Sequence, residues 1–185
     1  MSNFEKNLEQ ALNNAKRLTD KILIDGKLVS AQSKNKIPVL NPSTGENIGS
    51  APQCNKDDVN IAVESAHKAF QKWKKIPARE RGKMVAAGAK RLEERKSEIE
   101  TLLSLDTGNA LRTQAIPETG ASIELTNMFA CLSGELKGEN YPTNIPNSIH
   151  YTTRDPIGVV CAIVPWNAPL SVSYTHLTLP TKRIV

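Results

Sequence analysis

The sequence is poor in aromatic residues and has no cysteine pairing pattern. Phe, Trp and Tyr make up 4% of its 185 residues, which leaves few rings for stacking on bases and predicts an aliphatic core. Cys54, Cys131 and Cys161 lie far apart, so neither a disulfide framework nor a metal site is indicated. Residues 1–20 lack the apolar stretch of a secretory leader, and no apolar run is long enough for a membrane span. We therefore expect reduced thiols, a cytoplasmic location and no metal.

The charge is moderately positive but evenly mixed. The 24 Lys and Arg exceed the 19 Asp and Glu, for a net charge of +5. Basic and acidic residues alternate, as in Arg79-Glu80-Arg81, which is typical of solvated helix faces. A nucleic-acid surface would instead show a basic block with aromatic residues. We expect neither a nucleic acid nor a membrane as partner.

The first fifty residues predict a short helix followed by strands. An apolar stripe at Phe4, Leu8, Leu12, Ala15 and Leu18 favours a helix. Residues 21–29 consist of two apolar runs around Asp25-Gly26, which is the signal of a β-hairpin. Residues 37–40 predict another strand, which runs into a stretch rich in turn formers and resumes near residues 47–49.

Three helices are expected in the middle of the chain. Asn55 can cap a helix that extends to Trp73 with apolar residues at three- and four-residue steps. After Pro77, one apolar stripe continues from Val85 to Leu103, and Gly108 is a natural stop. A third helix is predicted near residues 118–132, ending at Gly134.

The periodicity then changes to that of strands. Residues 149–154 alternate like an exposed edge strand. Residues 157–164 (IGVVCAIV) are nearly all apolar, which favours a strand covered on both faces in a parallel sheet. Helices followed by a buried strand predict an α/β protein.

The segment Pro165-Trp166-Asn167 follows the buried strand, where doubly wound sheets bind their ligands. Two prolines, Pro165 and Pro169, restrict the backbone around the Asn167 amide. An amide NH2 so placed can stabilise a developing oxyanion. The alternative is a turn asparagine that bonds only to nearby backbone, and spacing alone favours this second interpretation.

Several motifs in register resemble the aldehyde dehydrogenase superfamily, whose members oxidise aldehydes to carboxylic acids with NAD or NADP. The resemblance covers roughly residues 21–170, and its motifs are Ile24-Asp25-Gly26-Lys27, NPSTGE at 41–46, Leu105-Asp106-Thr107-Gly108, HYTTRDP at 150–156 and IGVVCAIVPWNAPL at 157–170. It implies the N-terminal part of that fold: helices plus the start of a doubly wound, Rossmann-like parallel sheet, left incomplete.

The resemblance also implies roles for particular residues. Asn167 matches the asparagine whose amide stabilises the tetrahedral thiohemiacetal. Ile163, Val164, Pro165 and Trp166 match the strand end that lies along the nicotinamide cofactor, which is NAD or NADP. The substrate is expected to be a small-molecule aldehyde, and the parent protein a homodimer or homotetramer.

The expected organisation has five parts. They are an N-terminal extension (1–20), the N-terminal part of the cofactor domain (21–138), an oligomerisation arm (139–156), the first strand of the nucleotide-binding sheet with its Pro-Trp-Asn turn (157–171), and a tail (172–185). The catalytic cysteine, the glutamate base and the ribose-binding strand of the family are not found here. Cys161 lies in the apolar run and is expected to be buried, with a raised pKa, and therefore inert. We expect the chain alone to be inactive.

The tail departs from the family pattern. VSYTHLTLPT at 172–181 has no helical stripe, and it resembles one translated frame of a transposon-type sequencing adapter. We therefore expect a non-native tail that is not helical. A short, non-enzymatic helical binding module, in which the Pro-Trp-Asn turn is structural, remains the alternative to the enzyme.

Overall fold

Six helices and three short strand pairs make up the part of the chain that is described. The computed structural model describes the backbone of residues 3–178 and the side chains of residues 5–173. The helices are α1 (Asn3–Leu18), α2 (Lys56–Trp73), α3 (Ala78–Glu94), α4 (Lys96–Thr107), α5 (Ile116–Leu132) and α6 (Pro169–Thr178). The strands are β1 (Lys21–Ile24), β2 (Lys27–Ser30), β3 (Lys36–Leu40), β4 (Asn47–Pro52), β5 (Asn140–Tyr141) and β6 (His150–Tyr151). They pair as β1–β2, β3–β4 and β5–β6, all antiparallel.

The first two strand pairs confirm the predicted hairpins. Asp25 and Gly26 form the two-residue turn between β1 and β2, with φ of 51° and 72°. Positive φ at both central residues matches the twist of the flanking strands, and Gly26 adopts it without a steric cost. β3 and β4 enclose the predicted turn, which is closed by the Asn41 N–H on the Glu46 carbonyl at 2.9 Å.

Helix α2 begins at the predicted cap and is joined to the loop after β2. The Asn55 side chain accepts from the Asp58 N–H at 2.9 Å, and the Asp58 carboxylate accepts from the Asn55 N–H at 3.1 Å. That carboxylate also accepts from the Gln32 N–H at 2.7 Å. Asp58 is buried, and the donating N–H groups of Gln32 and Asn55 lower its pKa. One carboxylate therefore caps α2 and fixes a loop distant in sequence.

The single helix expected between Pro77 and Gly108 is two helices. The chain bends at Arg95, where φ is −112° and ψ is 15°. The Arg95 N–H bonds the Leu92 carbonyl at 3.1 Å, so the last turn of α3 is tightened. Before the bend α3 packs mainly against α5, whereas after it α4 packs mainly against α1. The apolar stripe did not reveal the break because both helices bury it, each against a different partner.

Small and hydroxylated residues let α5 lie close to its neighbours. A Cβ on Gly82 of α3 would lie 2.5 Å from the Ala130 carbonyl oxygen of α5, so the two backbones touch. The buried hydroxyls of α5 bond within the helix: Thr119 donates to Ala115, Ser122 to Glu118 and Thr126 to Ser122. Each polar group is thus satisfied without a partner from outside the helix.

A π-turn, Leu111–Ala115, precedes α5. The Ile116 N–H bonds the Leu111 carbonyl five residues earlier, so this turn holds one residue more than an α-turn. The turn leads directly into α5, two residues before the predicted start at residue 118.

The predicted buried strand at 157–164 is wrong for the described residues. The segment has no regular secondary structure, and Ile157, Val159, Val160, Ile163 and Val164 are exposed. An apolar central strand needs partners on both edges and cover on both faces, and residues 3–178 supply neither. For the same reason the parallel sheet is not formed in this part of the chain. The edge strand predicted at 149–154 is reduced to His150–Tyr151.

The expectation that no helix follows Leu170 is also wrong. α6 begins at Pro169, a residue well suited to the first helical position. It passes Val172, the predicted start of the tail, and it packs against α5. Residues 179–185, the end of that tail, lie outside the described residues. None of the described helices has the length and apolar character that crossing a membrane requires.

Candidate functional site

The Pro-Trp-Asn turn lies between segment 157–164 and α6. Asn167 is exposed, and Trp166 retains 79% of its accessible surface. Among the described residues the Asn167 side-chain amide makes no hydrogen bond. A turn asparagine that only satisfies nearby backbone would show such a bond. The amide is therefore free to meet a ligand.

The backbone on the C-terminal side of Asn167 is held by side chains from distant parts of the chain. The Asn109 Nδ2 donates to the Asn167 carbonyl oxygen at 3.0 Å. Glu118 Oε1 accepts from the Leu170 N–H at 3.0 Å and from the Ser171 N–H at 3.3 Å. These are first-turn N–H groups of α6, which have no partner within their own helix. The carboxylate caps α6 from outside.

Asn109 is itself fixed by the end of α4. The Asn109 N–H donates to the Thr107 hydroxyl at 3.1 Å, and its carbonyl accepts from the Ser104 hydroxyl at 2.7 Å. Gly108 ends α4 with a φ of 74°, a left-handed conformation that favours glycine. Pro42 fills the space where a side chain at position 108 would lie, since a Cβ there would be 3.1 Å from the Pro42 Cβ.

Three sequence motifs therefore meet around one turn. Pro42 belongs to NPSTGE at 41–46, Gly108 ends the Leu105–Gly108 motif, and Asn167 ends Pro-Trp-Asn. The structure connects them through the Pro42–Gly108 contact and the Asn109–Asn167 hydrogen bond. Sequence reasoning had identified all three motifs, but not Asn109 or Glu118. Their partners are 58 and 52 residues away, and no local pattern indicates such a contact.

The residues predicted to contact the cofactor present only apolar surface. Ile163 and Trp166 are 90% and 79% exposed, and Val164 is 37% exposed. Such side chains fit the flat face of a nicotinamide ring. Cofactor phosphates need free N–H groups or cations, yet two first-turn N–H groups of α6 already bond the Glu118 carboxylate. The described residues thus fit the ring of the cofactor and not its pyrophosphate.

The cysteines do not form a nucleophilic site among the described residues. Cys54 lies in the loop before α2 and Cys131 on α5, and both are exposed. Cys161 is exposed too, so the prediction that it is buried is wrong. The reason is that segment 157–164 does not form a strand within a sheet, so no described strand or helix encloses Cys161. No hydrogen bond joins any of these thiols to a base in the described part of the chain.

Histidines and acidic residues form no metal cluster within the described side chains. His67 on α2 bonds Gln71 at 3.1 Å, and His150 of β6 faces Thr143 at 3.5 Å. Both residues are exposed, His67 on the surface of α2 and His150 in the arm.

A mostly apolar cavity of about 420 Å³ lies behind α6. Its walls come from α1, β4, α4 and α6 and include Leu18, Ile48, Leu102 and Leu170. Asp106 of α4 supplies a polar edge. Neither Asn109 nor Asn167 lines it, so this space is separate from the turn.

Comparison with known proteins gives consistent matches. The sequence model of the Aldehyde dehydrogenase family matches residues 28–180, a range that runs past Leu170 into the predicted tail. Phenylacetaldehyde dehydrogenase of Pseudomonas fluorescens is 35% identical over 161 residues, covering 83% of this chain and 32% of the relative. Benzaldehyde dehydrogenase (mitochondrial) of Antirrhinum majus is 35% identical over 153 residues, covering 82% and 28%.

Solved structures show the same fold. HpcC from Thermus thermophilus superposes with a TM-score of 0.86 at 28% identity, covering 94% of this chain and 33% of that one. Betaine aldehyde dehydrogenase from Staphylococcus aureus, in complex with NAD+, gives a TM-score of 0.85 at 29% identity, covering 93% and 34%. An NADP-dependent enzyme of E. coli gives 0.82 at 26% identity, covering 88% and 34%. The chain spans about a third of the length of the relatives it matches.

Proposed function

Since the chain belongs to the aldehyde dehydrogenase family, we propose that it is the N-terminal part of an NAD(P)-dependent enzyme that oxidises an aldehyde to a carboxylic acid. The observation that carries this proposal is the family match over residues 28–180, which is most of this chain and yet only about a third of its relatives. NAD and NADP both remain candidates, because the NAD+ complex and the NADP-dependent enzyme have similar folds to this chain.

Asn167 is the residue that contributes chemistry. Its amide makes no hydrogen bond among the described residues, and the backbone that follows it is held by Asn109 and Glu118. An NH2 group in a fixed position can stabilise the negative charge that develops on the aldehyde oxygen during attack by a thiol. Because the group is already in place, little reorganisation is needed as the charge develops.

The cofactor would contribute hydride acceptance when bound. Ile163, Val164, Pro165 and Trp166 would contribute an apolar surface against its ring, and they would exclude water there. In the described arrangement these residues are exposed, so the surface forms only when the segment 157–164 acquires strand neighbours. We therefore expect the 185-residue chain to lack activity.

The arm around β5 and β6 supports association of the parent protein. Tyr141, Ile145, Ile149 and Tyr151 are large apolar side chains that retain between 47% and 78% of their surface. A two-stranded ribbon with bare edges and apolar faces can pair with another copy. We propose that this arm serves a homodimer or homotetramer.

The test begins with the source DNA downstream of the Leu170 codon. We expect an open frame that continues through a cysteine nucleophile and a glutamate base. Its product should form NADH or NADPH with benzaldehyde or betaine aldehyde, followed by absorbance, whereas the 185-residue chain should not. In the longer product Asn167→Ala should lower kcat by about 10²–10³, the loss typical of one oxyanion donor.

Asn60→Ala is the matched control, because Asn60 is an exposed asparagine on α2. It should leave kcat unchanged. A longer product without aldehyde oxidation would refute the enzyme assignment. Cysteine-dependent NADH formation by the 185-residue chain would refute the proposal that it is only a part.

A further inference from the structure

We infer that Asn109 and Glu118 are positioning residues that hold Asn167 in place. The inference rests on the proposed function in one respect, namely that the Asn167 amide is the group whose position matters. Neither residue touches a reacting atom. Each acts on the backbone after Asn167. Asn109 bonds the carbonyl of Asn167 itself, and Glu118 bonds N–H groups at the start of α6.

Asn109 fixes the Asn167 carbonyl. Its Nδ2 donates to that oxygen at 3.0 Å, so the peptide plane after Asn167 has a fixed orientation. Asn109 can do this because its own backbone is fixed by the Ser104 and Thr107 hydroxyls. The Gly108–Pro42 contact holds the same corner from the other side.

Glu118 fixes the start of α6. One carboxylate oxygen accepts from two successive N–H groups, those of Leu170 and Ser171. An anion at a helix N-terminus also interacts favourably with the helix dipole. Since Pro169 offers no N–H, these two groups are the first donors of α6. The turn is therefore clamped between α4 and α5.

The bonds made by Asn109 and Glu118 also limit the directions in which the Asn167 side chain can point. Asn167 is exposed and its side chain has no hydrogen bond within the described residues, so nothing but its backbone sets where the amide points. A free turn would let the amide sample many directions. Holding the peptide after Asn167 and the first turn of α6 restricts it while leaving both amide protons available to a ligand.

The test uses the 185-residue chain and reads backbone order by NMR. Glu118→Ala should speed amide hydrogen exchange at Leu170 and Ser171 by about tenfold or more, the factor expected when a hydrogen bond to an ionised acceptor is lost. Glu118→Gln should keep most of the protection, because its carbonyl oxygen can still accept. Glu124→Ala, an exposed glutamate on the same helix, should change neither rate.

Asn109 is tested separately. Asn109→Ala and Asn109→Asp both remove the donor, and both should lower the heteronuclear NOE at Asn167 and Ala168. Asn127→Ala, an exposed asparagine on α5, is the control. Unchanged exchange in Glu118→Ala, or equal effects in the controls, would overturn the inference.

One measurement needs no variant. In labelled wild-type chain an NOE should connect the Leu170 amide proton with the Glu118 γ-methylene protons, and its absence would overturn the inference even if Glu118→Ala fails to fold. All of these signals report backbone order, so they stand or fall independently of the kcat of Asn167→Ala. If the NMR signals show that the turn is held but Asn167→Ala leaves kcat unchanged, the proposed function is refuted. The inference that Asn109 and Glu118 position the turn would still stand.

Discussion

Asp58 joins two segments that are distant in the sequence. Its carboxylate accepts N–H groups from Gln32, Ser33 and Asn55. These bonds favour the ionised form, so the pKa of Asp58 lies below the ordinary aspartate value of 3.8. A lowered pKa in the folded state means stability that is present above the unfolded value and is lost as the pH falls through the folded value.

We therefore predict that Asp58→Asn has a lower urea midpoint than the wild type at pH 6. Wild-type stability should fall as the pH drops below about 4, and the variant should lose less over the same interval because the linked proton is gone. Asp57→Asn, an exposed position in the same helical turn, is the matched control and should lower the urea midpoint at pH 6 less than Asp58→Asn does. Parallel curves for wild type and Asp58→Asn would contradict the assignment.

Single residues also show how far the sequence predicts the site. Asn55 is recognisable as a cap because its partner is three residues away, and Asn167 is recognisable because two prolines and a family motif surround it. Gln32, Asn109 and Glu118 are not recognisable, since their bonds span 26, 58 and 52 residues. Polar contacts of that kind depend on how helices are placed, which local periodicity does not contain.

At the scale of elements, α3 and α5 have the closest backbone contact described above. A Cβ at Gly82 would lie 2.1 Å from the Ser133 Oγ and 2.5 Å from the Ala130 carbonyl oxygen. We predict that Gly82→Ala lowers the free energy of unfolding by about 1–3 kcal/mol, the usual cost of overpacking.

The same helix provides the control. Gly88 is exposed, and nothing lies within 4 Å of a Cβ built there. Gly88→Ala should instead raise the free energy of unfolding by about 0.5–1 kcal/mol, because alanine is the better helix former. Urea denaturation of both variants measures the difference. A Gly82→Ala variant as stable as Gly88→Ala would mean that the two helices are not in contact there.

The elements that the sequence predicted correctly are those with local signals. The hairpin turn at Asp25-Gly26, the cap at Asn55 and the stop at Gly108 all depend on residues next to them. The bend at Arg95 depends instead on tertiary packing, because α3 and α4 bury one continuous apolar stripe against different partners. Propensity therefore located the helical residues and missed the division between the two helices.

At the scale of the whole molecule, segment 157–164 is apolar and mostly exposed. Residues 3–178 provide it with no strand partner. Its composition predicted a strand suited to the interior of a sheet, but a strand forms only with its neighbours. An exposed apolar segment with the composition of a strand promotes association between copies.

We predict that the chain self-associates with rising concentration and that Ile163→Lys reduces this association. Ile163 is 90% exposed, so the substitution should cost little stability while adding charge to the bare segment. Leu23→Lys, at a β1 position that is 69% exposed, should leave association unchanged. Sedimentation velocity at several concentrations distinguishes them, and a monodisperse wild-type monomer would contradict the prediction.

The π-turn Leu111–Ala115 has a consequence for insertions and deletions. It holds one residue more than an α-turn just before α5. Deleting one residue there would turn the π-turn into an α-turn and leave the residues that follow it close to their positions. Deleting one residue inside α5, after Thr119, would instead rotate everything beyond it by about 100°, one residue's share of a 3.6-residue turn. Ser122 and Thr126 would then leave the buried face that they share with Thr119. The π-turn should therefore tolerate the loss of one residue far better than α5 does.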